Sequence, residues 1–471
     1  MKTRITIHSG IYTIGGVVME LAYGNDRIIM EIGSAYHPET NVYDGLVEHR
    51  NKSWLKDALN LKQAPKVAGL YSEKDLLDYP LLSSESCTKN TAVFVSHLHL
   101  DHMACMAMVC PTIPVYLSDQ AKTIEYALED LGQGAIGYHH REYFPLNHLE
   151  VIKVGEIEVT PYFNNFNSHQ HMSFYVETPD LKLHYTGDLI MHGQYPQRVL
   201  EEMEFVKAKN IDVLVADTTG FIDSVMDMMY ENYDDEVIAS PDLPKDMLDE
   251  AMLMAALQED LAQVKGLCIV NFYVREMDDV TSFTEMAKAC GRKLVLEPET
   301  AYIAHKFFNS KPLIYIPDYS KYQSDAEWLK IILANSTVVT KEEIHQNPNQ
   351  FLLQNTYKNI LELFDLPNKD AGYLHFGGEP LGDYDPAWYN LLRVLDLTNF
   401  KLVGTNEKRY FSHAYPQQAK YYVDQVDASI LIPTHSFNPE RLKASPGKVQ
   451  FIPEEGATYE LSDDKKTLVK I

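Results

Sequence analysis

Short apolar runs separated by turn residues dominate the first 200 or so residues of the chain. "RIIMEIG" (27–33), "TAVFVSH" (91–97), "IPVYLS" (113–118), "IEVTPYF" (157–163), "MSFYVET" (172–178) and "LKLHYTGD" (181–188) each fit a buried or half-buried strand. Fewer segments carry a helical period, so the pattern predicts an α/β unit rich in sheet. After "IDVLVADTT" (211–219) the acidic stretch "ENYDDEVIASPDLPKD" (231–246) interrupts it, and a domain boundary is expected near residue 220. The helix-like "MLDEAMLMAALQEDLAQVK" (247–265) and the buried-strand pattern "GLCIVNFYV" (266–274) then begin an alternation of helix and strand, which predicts βαβ units on a parallel sheet. Methionine and leucine recur at helical spacing in 247–261, a pattern that core packing explains more often than a partner surface. Near the end, "KVQFIP" (448–453) and "TYELS" (458–462) return to the style of the first section, as expected of a second domain inserted into the first. The segmentation is therefore 1–220, 221–400 and 401–471.

A chain of 471 residues, 45% of them hydrophobic, has material for two cores. With 67 acidic against 41 basic residues the formal charge is −26, which disfavours a general nucleic-acid coat. Cys87, Cys105, Cys110, Cys268 and Cys290 are odd in number and contain no CxxC pair, so neither a disulfide framework nor a thiolate zinc knot is indicated. No signal-like start and no apolar run of about 18 residues is present. A cytoplasmic protein without a membrane partner is expected.

The densest chemistry is "SHLHLDH" (96–102), directly after a strand pattern. A turn there lets His97 and His99 aim at one point, while Asp101 and His102 open the next helix. Neutral imidazoles and carboxylates are the donors that zinc and related divalent ions accept, and two adjacent ions could share them.

The HxHxDH spacing resembles the signature of the metallo-β-lactamase fold, an αββα sandwich with its metals at the sheet edge. "HYTGDL" resembles the segment whose aspartate bridges two metals, which implies that role for Asp188. "ILIPTHSFNPERL" resembles the late segment whose histidine completes the second site, which implies His435. "IIMEIG" resembles a strand ending in Asp-x-Gly, with Glu31 in place of the aspartate and a structural role implied for it. The third metal histidine of the family has no direct counterpart. Its position falls on Phe166 in "YFNNFNSHQHMSF", with His169 the first substitute and His171 the second.

The segment from "GLCIVNFYV" to "YFSHAYPQ" is similar to the β-CASP domain of ribonuclease J, of the pre-mRNA 3′-end endonuclease and of DNA-crosslink repair nucleases. That resemblance implies catalytic roles for Asp217, in "ADTTG", and for His413, in "FSHA", where Ser412 replaces the family's glycine. It also implies Asp101 as a catalytic metal ligand and zinc as the divalent metal, in one or two copies, with manganese as the alternative. Lys408, Arg409 and Lys420 lie close in sequence to His413 and form either a local basic rim or an ordinary solvated charge cluster. The leading expectation is a hydrolase of phosphodiesters that uses metal-activated water. Its rivals are a small-molecule ester, lactone or nucleotide hydrolase and a non-catalytic binding protein with a degenerate metal site. A homodimer is one open arrangement.

Overall fold

The computed structural model describes residues 1–471 apart from 36–41, 43–46, 51, 138–139, 165–170, 224–225, 227–249, 323–324, 383–384 and 405–411. Three sheets organise it. The first has eight strands in the order Leu468–Lys470, Thr458–Leu461, Arg4–Ser9, Val18–Tyr23, Asp26–Met30, Asn90–Phe94, Val115–Ser118 and Phe144–Leu146. The second has seven, in the order Val449–Gln450, Ile430–Thr434, Val213–Asp217, Lys182–Tyr185, Met172–Glu177, Ile157–Phe163 and Ile152–Val154.

These two sheets pack face to face. Ile5, Ile7, Leu21, Ile28 and Phe94 of the first interdigitate with Val159, Phe174, Leu183, Val215 and Ile432 of the second in one core. Helices cover both outer faces. Asp119–Asp130 lies on the first sheet, where Ile124 and Leu128 join Val93 and Val115. Pro196–Lys209 and Pro416–Val426 lie on the second, where Val199, Met203 and Val423 join Leu214 and Leu431. The order of layers is αββα. Continuous burial explains the arrangement, because a strand with one face on the partner sheet and the other under a helix must be apolar on both sides. Asn90–Phe94 is buried at every position but its first.

The third sheet is parallel throughout and belongs to the middle of the chain. Its order is Thr337–Val338, Leu313–Ile314, Lys293–Leu296, Phe351–Gln354, Cys268–Phe272, Gly372–Phe376 and Lys401–Val403. The last of these strands pairs with Gly372–Phe376, so the edge of this unit falls after residue 403 and not at residue 400. Helix Glu250–Gln263 buries Leu253, Leu257 and Leu261 in the core that this unit shares with the first sheet's outer face, while Met252 is exposed. The leucines of that segment therefore serve packing.

In the second sheet, strands 182–185, 213–217 and 430–434 run parallel and in register, with Tyr185 beside Val215 and Asp217 beside Thr434. Their carboxyl ends therefore open at the same edge of the sandwich, which is where the loops bearing Asp188, Asp217 and His435 leave the sheet. The strand Asn90–Phe94 delivers His97 and His99 to that edge from the other sheet.

Candidate metal centre

The turn after Asn90–Phe94 carries His97 and His99 into a buried space, and the helical turn Leu100–Met103 adds Asp101 and His102. Gly33 permits this close approach, since a Cβ there would lie 1.7 Å from the Asp101 carbonyl oxygen. The backbone is stitched at the same place, with Ile32 N–H donating to His102 O at 2.9 Å and Gly16 N–H to Asp101 O at 2.8 Å.

Asp188 stands in the middle. Its Oδ1 lies 2.9 Å from His102 Nε2 and 3.4 Å from His435 Nε2, and its Oδ2 lies 3.4 Å from His97 Nε2 and 3.9 Å from His99 Nδ1. Three overlapping clusters result among the described residues. His97, His99 and Asp188 form one, Asp101, His102 and His435 a second, and Asp188, His413 and His435 a third, each with ligand-type atoms within 4.8 Å of one another. In the second cluster Asp101 Oδ2 is 3.1 Å from His435 Nε2 and 3.4 Å from His102 Nε2, and the two ring nitrogens are 3.2 Å apart. A tetrahedral shell with bonds of about 2.0–2.1 Å has edges of about 3.3 Å, so this spacing suits a zinc-sized ion.

The electrostatics agree with that fit. Both Asp188 oxygens are buried, and neither meets the geometry of a hydrogen bond among the described residues. Such a carboxylate is costly unless a cation is opposite it. Burial, reinforced by its histidine neighbours, pushes the His97 imidazole down to about 3, so its nitrogen is held neutral as a ligand must be. Burial also lowers His99, to about 4, against the pull of Asp101 and Asp188. On the other side burial opposes charge on His102 and His435, yet the carboxylates outweigh it. His102 is raised well above its usual range and His435 to about 9, by Asp188 and Asp101 above all.

Buried partners aim the donors. Glu31 Oε1 lies 3.5 Å behind His102 Nδ1, and its Oε2 accepts Ser96 N–H at 3.2 Å. Ser96 Oγ is 2.9 Å from His97 Nδ1, and Thr219 Oγ1 is 2.7 Å from His435 Nδ1. Glu31 and His435 both have left-handed backbone, with φ of 62° and 66°, and such strain in non-glycine residues persists only where the surroundings impose it. His99 Nε2 is 2.8 Å from Glu276 Oε1, a residue of the inserted unit.

Asp217 and His413 form a second pairing at the edge of this space. His413 Nδ1 donates to Asp217 Oδ2 at 2.9 Å, and His413 Nε2 faces Asp188 Oδ2 at 3.9 Å. Asp217 is fixed in turn, because its Oδ2 accepts Leu189 N–H at 2.9 Å and its Oδ1 accepts Thr219 N–H at 2.8 Å.

Of the residues expected from sequence, His97, His99, Asp101, His102, Asp188, Asp217, His413 and His435 meet here. His169 and Phe166 lie outside the described residues. The histidine in the corner beside His97 is His171, with ring centroids 4.8 Å apart and Asp188 N–H donating to His171 Nε2 at 3.1 Å. Strand Met172–Glu177 starts one residue later, so His171 is held at the strand entrance where ungapped counting pointed to Phe166. The reading of a basic rim is corrected at Lys420, which is buried and engages Asp424, so its charge is spent inside the helix surface. Lys408 and Arg409 lie outside the described residues. Glu276 and Thr219 escaped the sequence reading because no spacing links them to the metal motif, and Ser96, inside that motif, is not a ligand-type residue.

Residues 67–256 match the family described as the beta-lactamase superfamily domain. That match spans the strands from Asn90–Phe94 to Val213–Asp217 of the αββα sandwich. A crystal structure of a protein of unknown function from Enterococcus faecalis V583 is similar over 98% of this chain and 100% of that one, at 24% identity and a TM-score of 0.76. The likeness therefore includes the inserted parallel sheet as well as the αββα sandwich. A metallo-β-lactamase fold protein from Bacillus subtilis is similar over 46% of this chain and 72% of that one, at 14% identity and a TM-score of 0.29. No curated protein matches the chain. Among the described residues, no helix is long and apolar enough to cross a membrane.

Proposed function

We propose that this chain is a metal-dependent hydrolase whose substrate is a phosphodiester. The observation that carries the reading is Asp188, a buried carboxylate whose two oxygens each face a separate set of imidazoles. His97, His99 and Asp188 would hold one ion, with His171 alongside, and Asp101, His102, His435 and the second oxygen of Asp188 the other. Zinc is the metal that this nitrogen-rich set fits best, with manganese the alternative. Ions held there supply acidified water and neutralisation of the charge that develops on the substrate.

The protein's own groups do the rest. Asp217 accepts the Nδ1 proton of His413 and so keeps the other ring nitrogen turned toward the cluster. A proton carried at His413 Nε2 can pass to the leaving oxygen, and the Asp217 carboxylate stabilises the charged ring. The inserted sheet and its resemblance to the β-CASP domain favour a phosphodiester. The net charge of −26 and the buried Lys420 favour a short substrate over a long polyanion.

The same two features keep a small carboxylic ester as a second reading, with the inserted unit as its lid. Elemental analysis of the purified chain, followed by hydrolysis of bis(p-nitrophenyl) phosphate, p-nitrophenyl acetate and end-labelled RNA, tests both. About two metal equivalents with turnover of the diester supports the proposal. Turnover of the acetate alone moves the function to the second reading. Absence of bound metal overturns both.

A further inference from the structure

The inserted unit reaches the metal centre at His99, through Glu276 and Tyr273. Strand Cys268–Phe272 of the third sheet ends in the turn Tyr273–Glu276, closed by Glu276 N–H donating to Tyr273 O at 3.0 Å, and helix Met277–Ala289 follows. Glu276 occupies the residue before that helix, but its carboxylate caps no backbone amide of the helix. It reaches across the seam to His99 Nε2 at 2.8 Å. The Tyr273 ring stands edge-on to the same imidazole, with centroids 5.5 Å apart.

The turn is pinned on the sandwich side by its own neighbour. Arg275 is buried, donates to Gln133 O at 3.0 Å and lies 3.8 Å from Glu125, on helix Asp119–Asp130. One helical step away Tyr302 of the inserted unit donates to Asp130 Oδ2 at 2.6 Å. Glu276 is therefore presented to His99 by a rigid seam.

We propose that Glu276 is a positioning residue for the ion between His97, His99 and Asp188, and that it links the affinity for that ion to the seating of the inserted unit. The inference rests on the metal-site reading above. The Glu276 carboxylate accepts a hydrogen bond from His99 Nε2–H and so fixes the tautomer. His99 Nδ1, the nitrogen facing Asp188 Oδ2 at 3.9 Å, is left with its lone pair directed at the ion. The opposite tautomer would place a hydrogen in the ion's position. The carboxylate behind a ligating histidine usually comes from the same domain. Here it crosses from the inserted unit, 177 residues further along the chain, so the unit must be docked for the site to reach full affinity.

The test compares zinc binding by the full-length parent, Glu276→Ala and Glu276→Gln, using competition with a chromophoric chelator at fixed pH. The expected result is about a 10- to 100-fold loss of affinity for one of the parent's zinc equivalents in Glu276→Ala, with the other equivalent unchanged. Glu276→Gln, which keeps an acceptor oxygen, should recover most of that loss. Nitrogen NMR of the histidine rings in the zinc-loaded parent should show His99 protonated at Nε2. Amide exchange in 273–276 should slow on zinc addition in the parent and not in Glu276→Ala. Parent-like affinity for every equivalent in a folded Glu276→Ala, or a His99 ring protonated at Nδ1, would overturn the proposal and leave the metal site standing. A parent that binds no zinc would overturn the metal-site reading itself.

Discussion

His413 Nδ1 lies 2.9 Å from Asp217 Oδ2, and the opposite nitrogen of the same ring faces the Asp188 carboxylate. One ring nitrogen is thereby tied to a buried anion and the other is aimed at the reacting centre. His413→Ala is expected to lower kcat on a phosphodiester by about 10²–10⁴-fold while leaving bound metal unchanged, because the ring contributes proton transfer in this scheme and holds no ion. Asp217→Asn should lower kcat less, since the amide oxygen can still accept the His413 Nδ1 hydrogen bond but no longer stabilises a charged ring. Steady-state kinetics over pH beside elemental analysis checks both, and loss of metal in His413→Ala would instead make the residue a ligand.

Asp188 faces both proposed ion sites, so it should control both ions. Asp188→Asn preserves volume but removes the charge that holds His102 and His435 in place, and bound metal should drop from about two equivalents to fewer than one. Elemental analysis after exhaustive dialysis reads the result. Retention of both equivalents would show that the bridging carboxylate is dispensable.

Gly33 tests the packing beneath the motif. A methyl group at this position overlaps the Asp101 carbonyl, a backbone atom that cannot swing aside. Gly33→Ala is expected to cost about 1–3 kcal/mol or more and to displace Asp101 from its cluster. A lower denaturation midpoint together with reduced metal content would bear this out, and a parent-like midpoint would contradict it.

Glu297 offers a pH dependence remote from the metals. Burial first, and Glu299 second, push its carboxyl up to about 7, although Thr356 donates to it through N–H and Oγ1–H at 2.7 Å each. A folded value above the unfolded one means stability that is fully present below about 4.5 and is lost as pH rises through 7. Glu297→Gln, which avoids this loss, should therefore be more stable than the parent by about 2–3 kcal/mol at pH 8 and nearly equal to it at pH 5. Urea unfolding at the two pH values decides it.

Much of the site was legible before any coordinates because its donors are set by local geometry. A strand that ends at Phe94 must turn, and the alternation of ligand residues in 97–102 converges on one point whatever the rest of the chain does. Asp188, Asp217 and His435 were legible through the resemblance of their segments to known families, and each sits at or just past the end of a buried apolar strand. The change from strand-rich to alternating pattern likewise marked the inserted unit, although its last strand ran past the expected edge because three residues, Lys401–Val403, show too short a period to read.

Other features depended on distance in the chain. That His171 lies beside His97 was not decided by the sequence, which offers His169 first and His171 second, because a one-dimensional count cannot say how much loop the chain spends before a strand begins. The aim of His102 toward Glu31 and the left-handed backbone of His435 follow from how two sheets close over one edge. The contact between Glu276 and His99 exists only because the inserted unit docks where it does, and Lys420 is withdrawn from any basic rim by an ion pair one helical turn away. The sequence by itself determined which donors were present and how they alternate, since strand and turn geometry act over a few residues. Tertiary structure alone decided which of them face one another, because burial and docking act between residues that the chain keeps hundreds of positions apart.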